Sequence, residues 1–127
     1  MLKQMVLAAS VLMAATTVAH AELNVRTMTL YEKAFNTCGT HTQIAKFVGK
    51  PTQVPPLTTW LQKVYELGAS EHQQRMLKTY WQRGKLNFSY DRSDWQNFNH
   101  SQRQDAYELY TLGKNICTKH FDNLQGN

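Results

Sequence analysis

Beyond residue 21 the chain carries four imidazoles, His41, His72, His100 and His120, and two thiols, Cys38 and Cys117. No histidine stands in a His-x-x-x-His pair and there is no Cys-x-x-Cys pair, so the spacings that place two metal ligands on one helix face or turn are missing. His120 falls on the apolar arc of the last helix, one turn from Cys117, where a neutral, hydrogen-bonded core imidazole is expected rather than a ligand. His72 falls on a solvated arc. Cys38 and His41 are one helical turn apart, as a thiol nucleophile and its base would be, but that pairing requires Cys117 to be free as well. Asp91 with Asp94, and Asp105 with Glu108, are the carboxylate pairs that acid–base work on a glycosidic bond would use. The first pair reads instead as cap and turn residues, and the second as the polar arc of a helix. There is no Gly-x-Ser-x-Gly elbow, no phosphate-binding glycine loop and no dinucleotide fingerprint. These residues point to no catalytic group, no metal ligand and no cofactor, and the expectation is that the protein is not an enzyme.

The compartment sets the state of the two thiols. Lys3 opens the chain, residues 5–19 form an apolar run without a charge, and Ala19-His20-Ala21 supplies small residues at the −3 and −1 positions of a signal-peptidase site. The run is about 15 residues, short of the ~20 that a membrane span needs. No cysteine follows the expected cut, so no lipid is attached there. The expectation is a leader at 1–21 and a single exported domain at 22–127 with no stable membrane span, periplasmic or secreted after cleavage. In an oxidising compartment Cys38 and Cys117 are expected to form a disulfide, and their separation of about 80 residues suits a structural staple better than a redox pair.

The cysteines must be positioned by helices, because the apolar residues recur every three or four positions almost throughout. Met28, Tyr31, Phe35, Cys38, Thr42 and Ala45 mark one stripe of a long first helix, ended by Gly49 and Pro51. After a stiff connector at 49–56, a second helix is expected over 57–67 with Leu57, Trp60, Leu61, Val64 and Leu67 on one face. Ser70 and Gln73 form a capping box for a third helix carrying Met76, Leu77, Tyr80 and Trp81, with Gly84 as its stop. A fourth helix is expected to open at Ser101, with Gln104 in the box position, and to run to about Phe121. Its inward face carries Ala106, Leu109, Tyr110, Gly113, Ile116, Cys117 and Phe121. In the 85–100 connection the helical period breaks. Leu86, Phe88 and Tyr90 alternate with polar residues as a weak strand would, and Ser93 with Gln96 suits one capped helical turn holding Trp95 and Phe98. The fold class expected is all-α: a compact four-helix domain pinned by one disulfide, with one long irregular connection between its third and fourth helices.

Two surface features remain once these elements are drawn. Arg75, Lys78 and Arg83 on the third helix, followed by Lys85 and Arg92, form a basic patch in a chain with 14 Lys+Arg against 9 Asp+Glu, a net +5 that loses one charge with the leader. A balance this mild favours acidic partners without implying nucleic acid. The 85–100 connection mixes aromatics with Asn, Ser, Asp and Arg, the composition of adaptable binding loops, and Tyr90 and Trp95 are its candidate anchors. The same rings could fold inward and cover the core. Asn87-Phe88-Ser89 and Asn99-His100-Ser101 match the glycosylation pattern, which matters only in a eukaryotic secretory pathway.

The function expected first is a small periplasmic or secreted binding protein that neutralises or inhibits another exported protein. That partner would be a toxin or a wall-degrading hydrolase, with an acidic surface. A periplasmic stress chaperone or adaptor comes second, and an enzyme on a cell-envelope substrate third.

Overall fold

The computed structural model describes residues 22–127, and the leader expected at 1–21 lies outside the described residues. Four α-helices, α1 Val25–Val48, α2 Leu57–Glu66, α3 Glu71–Leu86 and α4 His100–Asp122, are joined by connectors, the last of which holds a short 3-10 helix, Arg92–Asn97. There is no strand among the described residues, so the chain is all-α as the periodicity implies. α1 is the axis of the fold: α3 and α4 both pack along it, α2 rests on α3, and the 3-10 turn rests on α1. For that reason α1 is buried on a broader arc than one stripe, and Ala34, His41, Ile44, Phe47 and Val48 are as covered as Phe35 and Cys38.

Local signals start and stop α1. The Asn24 side chain accepts the Thr27 N–H at 2.8 Å, and Gly49, at φ 74°, closes the helix by returning its N–H to the Ala45 and Lys46 carbonyls. Ser70 and Gln73 make the expected capping box at the start of α3. The disulfide between Cys38 and Cys117 ties α1 to α4 with 5.5 Å between the Cα atoms, and no free cysteine remains.

Around this bridge lies the larger core, in which Phe35, Trp60, Trp81 and Phe121 meet edge to face at centroid distances of 5.1–6.0 Å. A second, smaller core surrounds Phe47, which is fully buried beneath Phe88, Trp95 and Phe98 and beside Ala106 and Tyr110.

Several local expectations are corrected. Gly84 does not stop α3, which runs on to Leu86. It is buried at the crossing with α1, where a Cβ would strike the Asn36 carbonyl oxygen, and Gly39 has the reciprocal place against the Trp81 carbonyl oxygen. Both glycines are present because two backbones touch there. Leu86, Phe88 and Tyr90 form no strand: no neighbouring strand exists to pair with, and the rings gather around Phe47 instead. The 3-10 turn is capped by Asp91 and Asp94, not by Ser93 and Gln96. The fourth helix opens two residues early, with Asn99 and Gln102 in the box that Ser101 and Gln104 were expected to fill. Both registers offer a capping residue with Gln three positions on; packing Phe98 onto Phe47 at 4.9 Å places Asn99 at the cap. Leu109 and Ile116, expected inward, are 46% and 37% exposed, because α4 packs mainly on α1 and buries a narrow arc of Ala106, Tyr110 and Cys117. His120 is half-buried and not a core residue.

Candidate functional site

Arg75, Lys78 and Lys85 fall on one face of α3, since positions three, seven and ten apart return to the same side of a helix. Arg75 is held by Glu71, one turn back, at 3.4 Å with both side chains largely exposed, so the pair contributes little to stability. Lys78 and Lys85 have no carboxylate within ion-pair distance among the described residues. Arg83 lies around the helix from this face, its guanidinium 5.3 Å from the centre of the Tyr80 ring. The basic residues of α3 therefore divide into a stripe of three and one outlier.

At the C-terminal end of the stripe, Lys85 and Leu86 of α3 line an open cleft of about 630 Å³ with Gln43 and Lys46 of α1 and Phe88 and Asp91 of the connection. Lys46, at the end of α1, is a cation that the sequence placed in no patch; only the fold brings it beside Lys85. Asp91 is the one carboxylate of this cleft. Hydrogen bonds from the Ser93 side chain and backbone, with the charge of Lys46 as a lesser cause, hold its carboxyl below the ordinary range. Leu86, 81% exposed, stands in solvent beside these cations, and Tyr90, 46% exposed, packs on Phe88 of the same cleft at 5.6 Å.

The other residues singled out in the connection have a different role. Trp95 is half-buried, 5.1 Å from Phe47 and 5.3 Å from Tyr107, with the guanidinium groups of Arg92 and Arg103 at 5.4 and 5.3 Å from its centre. Arg92 also donates to the Phe47 carbonyl at 3.0 Å, and Arg103 to the Trp95 carbonyl at 3.1 Å. Those bonds clamp the connection onto α1 and α4. Arg92 and Trp95 thus belong to a lid over the second core, whereas Tyr90 stays on the surface, its own carbonyl accepting from the Gln43 amide at 3.1 Å.

Of the groups weighed for chemistry, the disulfide takes the thiol that a Cys38–His41 pair would need. His41 itself is 1% exposed. Its Nε2 lies 3.0 Å from the Thr52 carbonyl, and its Nδ1 has no hydrogen-bond partner. Gly113 of α4 is so close that a Cβ there would sit 2.8 Å from Nδ1. Burial, and secondarily the charge of Lys114, keep this imidazole below its ordinary pKa against the opposing effect of the Thr52 bond. His41, not His120, is the core histidine of this fold; its place on the stripe side of α1, one turn after Cys38, was the sequence signal for it. Among the described residues no three His, Cys, Asp or Glu side chains gather closely enough to hold a metal ion, and no helix is long and apolar enough to cross a membrane. In comparisons with known proteins, no family model, no curated protein and no solved structure matches this chain.

Proposed function

We propose that this chain is an exported, leader-cleaved binding protein of the periplasm or extracellular space that neutralises or inhibits another exported protein, an acidic toxin or wall-degrading hydrolase. The observation that carries the reading is the exposure of Leu86 at the end of the Arg75–Lys78–Lys85 stripe, in one cleft with Lys46 and Phe88, and of Tyr90, whose ring packs on Phe88. Exposed apolar side chains rimmed by cations suit a partner surface with an apolar centre and acidic edges. The lid beneath them is rigid, pinned by Arg92 and Arg103, so little ordering is needed on binding.

The test uses the protein immobilised against the exported fraction of its own cells, beside an Arg75→Ala/Lys78→Ala/Lys85→Ala variant and a Tyr90→Ala variant. One acidic protein retained by the parent and released by salt, retained less by the charge variant and shed faster from Tyr90→Ala, supports the proposal. Equal retention by all three chains refutes the surface.

A second reading, an acid-responsive chaperone or adaptor, draws on a different observation. Leu109, Leu112 and Ile116 are exposed along the α1–α4 groove, whose floor includes His41. Protonation of that buried ring would loosen the groove. Suppression of client aggregation that switches on as the pH is lowered, and persists in the charge variant, would favour this reading over the first.

A further inference from the structure

On the other flank of α4 from the groove, the connector after α1 and the helix enclose an open cleft of about 420 Å³. Lys50 and Gln53 line it from the connector, and Tyr107, Thr111 and Lys114 from α4. Tyr107, Thr111 and Lys114 follow one another at helical spacing, so they share one side of α4.

Two acceptors of this wall are engaged by the wall's own donors. The Pro51 carbonyl takes the Tyr110 hydroxyl at 2.6 Å, and the Gln53 side-chain oxygen takes the Lys114 ammonium at 3.3 Å. The groups left free are chiefly donors: the Lys50 ammonium, the other N–H bonds of Lys114 and the Gln53 amide N–H groups, with the Thr111 and Tyr107 hydroxyls able to donate or accept. No Asp or Glu lines the cleft, and neither lysine is within ion-pair distance of a carboxylate among the described residues. Lys50 is held in place over the Tyr107 ring, 5.3 Å from its centre, and 6.0 Å from that of Tyr110. Gln53 has φ 57°, the one positive φ outside glycine among the described residues, so the connector adopts a costly turn at the residue that steadies Lys114.

Two ammonium groups with neutral donors in the same lining and no carboxylate among them match a compact anion of more than one charge. A carboxylate brings a single charge, whereas a phosphate brings about −1.5 to −2 near neutral pH and three strong acceptor oxygens. We propose that this cleft is a phosphate-binding site, in which Lys50 and Lys114 supply the charge and Thr111 and Gln53 the orienting hydrogen bonds. The site is separate from the basic stripe of α3, and its operation does not depend on the protein partner proposed above. Two sources carry the same chemistry: free inorganic phosphate, and the phosphate monoester of an envelope lipid.

The fold contains a reporter for occupancy. His41 stacks on Tyr110, a wall residue, with ring centres 5.4 Å apart; burial chiefly lowers its pKa, the Thr52 carbonyl of the connector opposes this, and the charge of Lys114 of α4 adds to it. A bound phosphate anion beside Lys114 offsets that lysine's charge, so proton affinity at His41 rises on binding.

The experiment is a nuclear magnetic resonance titration of the purified protein with inorganic phosphate near about pH 7.5, where the dianion predominates, at constant ionic strength set with sodium chloride. Saturable shifts confined to residues around 107–114 and the 50–53 connector are expected, with an upward move of the His41 titration in phosphate. Lys50→Gln and Lys114→Gln should each weaken binding about tenfold, as loss of a charge-assisted contact does, while Lys114→Arg keeps most of it. Thr111→Val, which carries no charge change and little risk to folding, should weaken it less. Cosedimentation with phosphatidylcholine vesicles containing phosphatidic acid, absent with phosphatidylcholine alone and competed by inorganic phosphate, assigns the lipid monoester as source. Phosphate binding without vesicle binding assigns the free ion. Non-saturating shifts in the parent, or unchanged affinity in both glutamine variants with intact helical circular dichroism, overturns the site.

Discussion

At the scale of single residues, burial decides which side chains can report on function and which only support the fold. His41 has its pKa below the ordinary 6.5, first through burial and then through Lys114. The folded state therefore stays neutral at a pH where the unfolded chain takes up a proton. By linkage the stability is complete above about 6.5 and declines as the pH falls below it toward the folded-state pKa. Melting temperatures measured from pH 7 down to pH 5 should fall, and His41→Gln, which cannot titrate, should fall less steeply. His120, lowered by burial as well, acts in the same direction, so some slope persists in the variant. Trp95 and Tyr90 make the opposite contrast. Trp95→Ala empties a ring space bounded by Phe47, Tyr107 and two guanidinium groups and should cost about 2–3 kcal/mol in urea denaturation. Tyr90→Ala, at 46% exposure, should cost no more than about 1 kcal/mol. An equal loss in the two variants would show that the connection is not divided into lid and surface as described.

At the scale of elements, the determining contact is the crossing of α1 and α3. Replacing a helical glycine by alanine ordinarily gains about 1 kcal/mol of helix propensity. At Gly84 the new methyl would strike the Asn36 carbonyl oxygen, and at Gly39 the Trp81 carbonyl oxygen, where rigid backbone has to give way. Overpacking of this kind costs about 1–3 kcal/mol or more, so the sign reverses. Gly84→Ala should lower the unfolding midpoint by an amount equivalent to about 2 kcal/mol, and the threonine contacts across the crossing should loosen with it, since Thr40 donates to the Gly84 carbonyl at 2.7 Å. A stabilised Gly84→Ala protein would mean that the helices sit farther apart. α4 has no such crossing with α3, which is why its Leu109, Leu112 and Ile116 face solvent and why its two flanks differ, one apolar and one cationic.

For the whole molecule, α4 is attached to the rest mainly through α1, so the covalent tie between the two carries more weight than in a bundle whose helices all touch. Closing a loop with a sequence separation of 79 lowers the entropy of the unfolded chain by an amount worth about 4.5 kcal/mol at room temperature. That compares with a total of about 5–15 kcal/mol for domains of ordinary stability. Reduction should therefore shift the denaturation midpoint far downward and leave α4 the first element to exchange its amide hydrogens. Thiol titration of the unreduced, unfolded chain should find none free. Contacts between the segment before α1 and the one after α4 reinforce the closure: Asn127 donates to the Glu22 carbonyl at 2.9 Å and accepts the Asn24 N–H at 2.7 Å, and Leu124 is buried.

The helices, the cap at Ser70, and the pairing of Cys38 with Cys117 were legible in the order of residues alone. Each rests on contacts within a turn or on a composition with one outcome: apolar spacing close to 3.6, a short polar side chain before it, and two cysteines with no other partner. Of the basic patch, the shared face of Arg75, Lys78 and Lys85 follows from helical spacing, whereas Arg83 falls off that face and Arg92 joins the lid. Most of the other differences involve a second element. Gly84 resembles a stop until α1 lies against it; Leu109 and Ile116 resemble core until α3 proves to be out of reach; Ser101 and Asn99 are equal caps until Phe98 finds Phe47. The juxtaposition of Lys50 with Lys114 belongs to the same class. A connector and a helix more than sixty residues apart have no local reason to meet, and only the burial of Tyr110 and its bond to the Pro51 carbonyl bring them together.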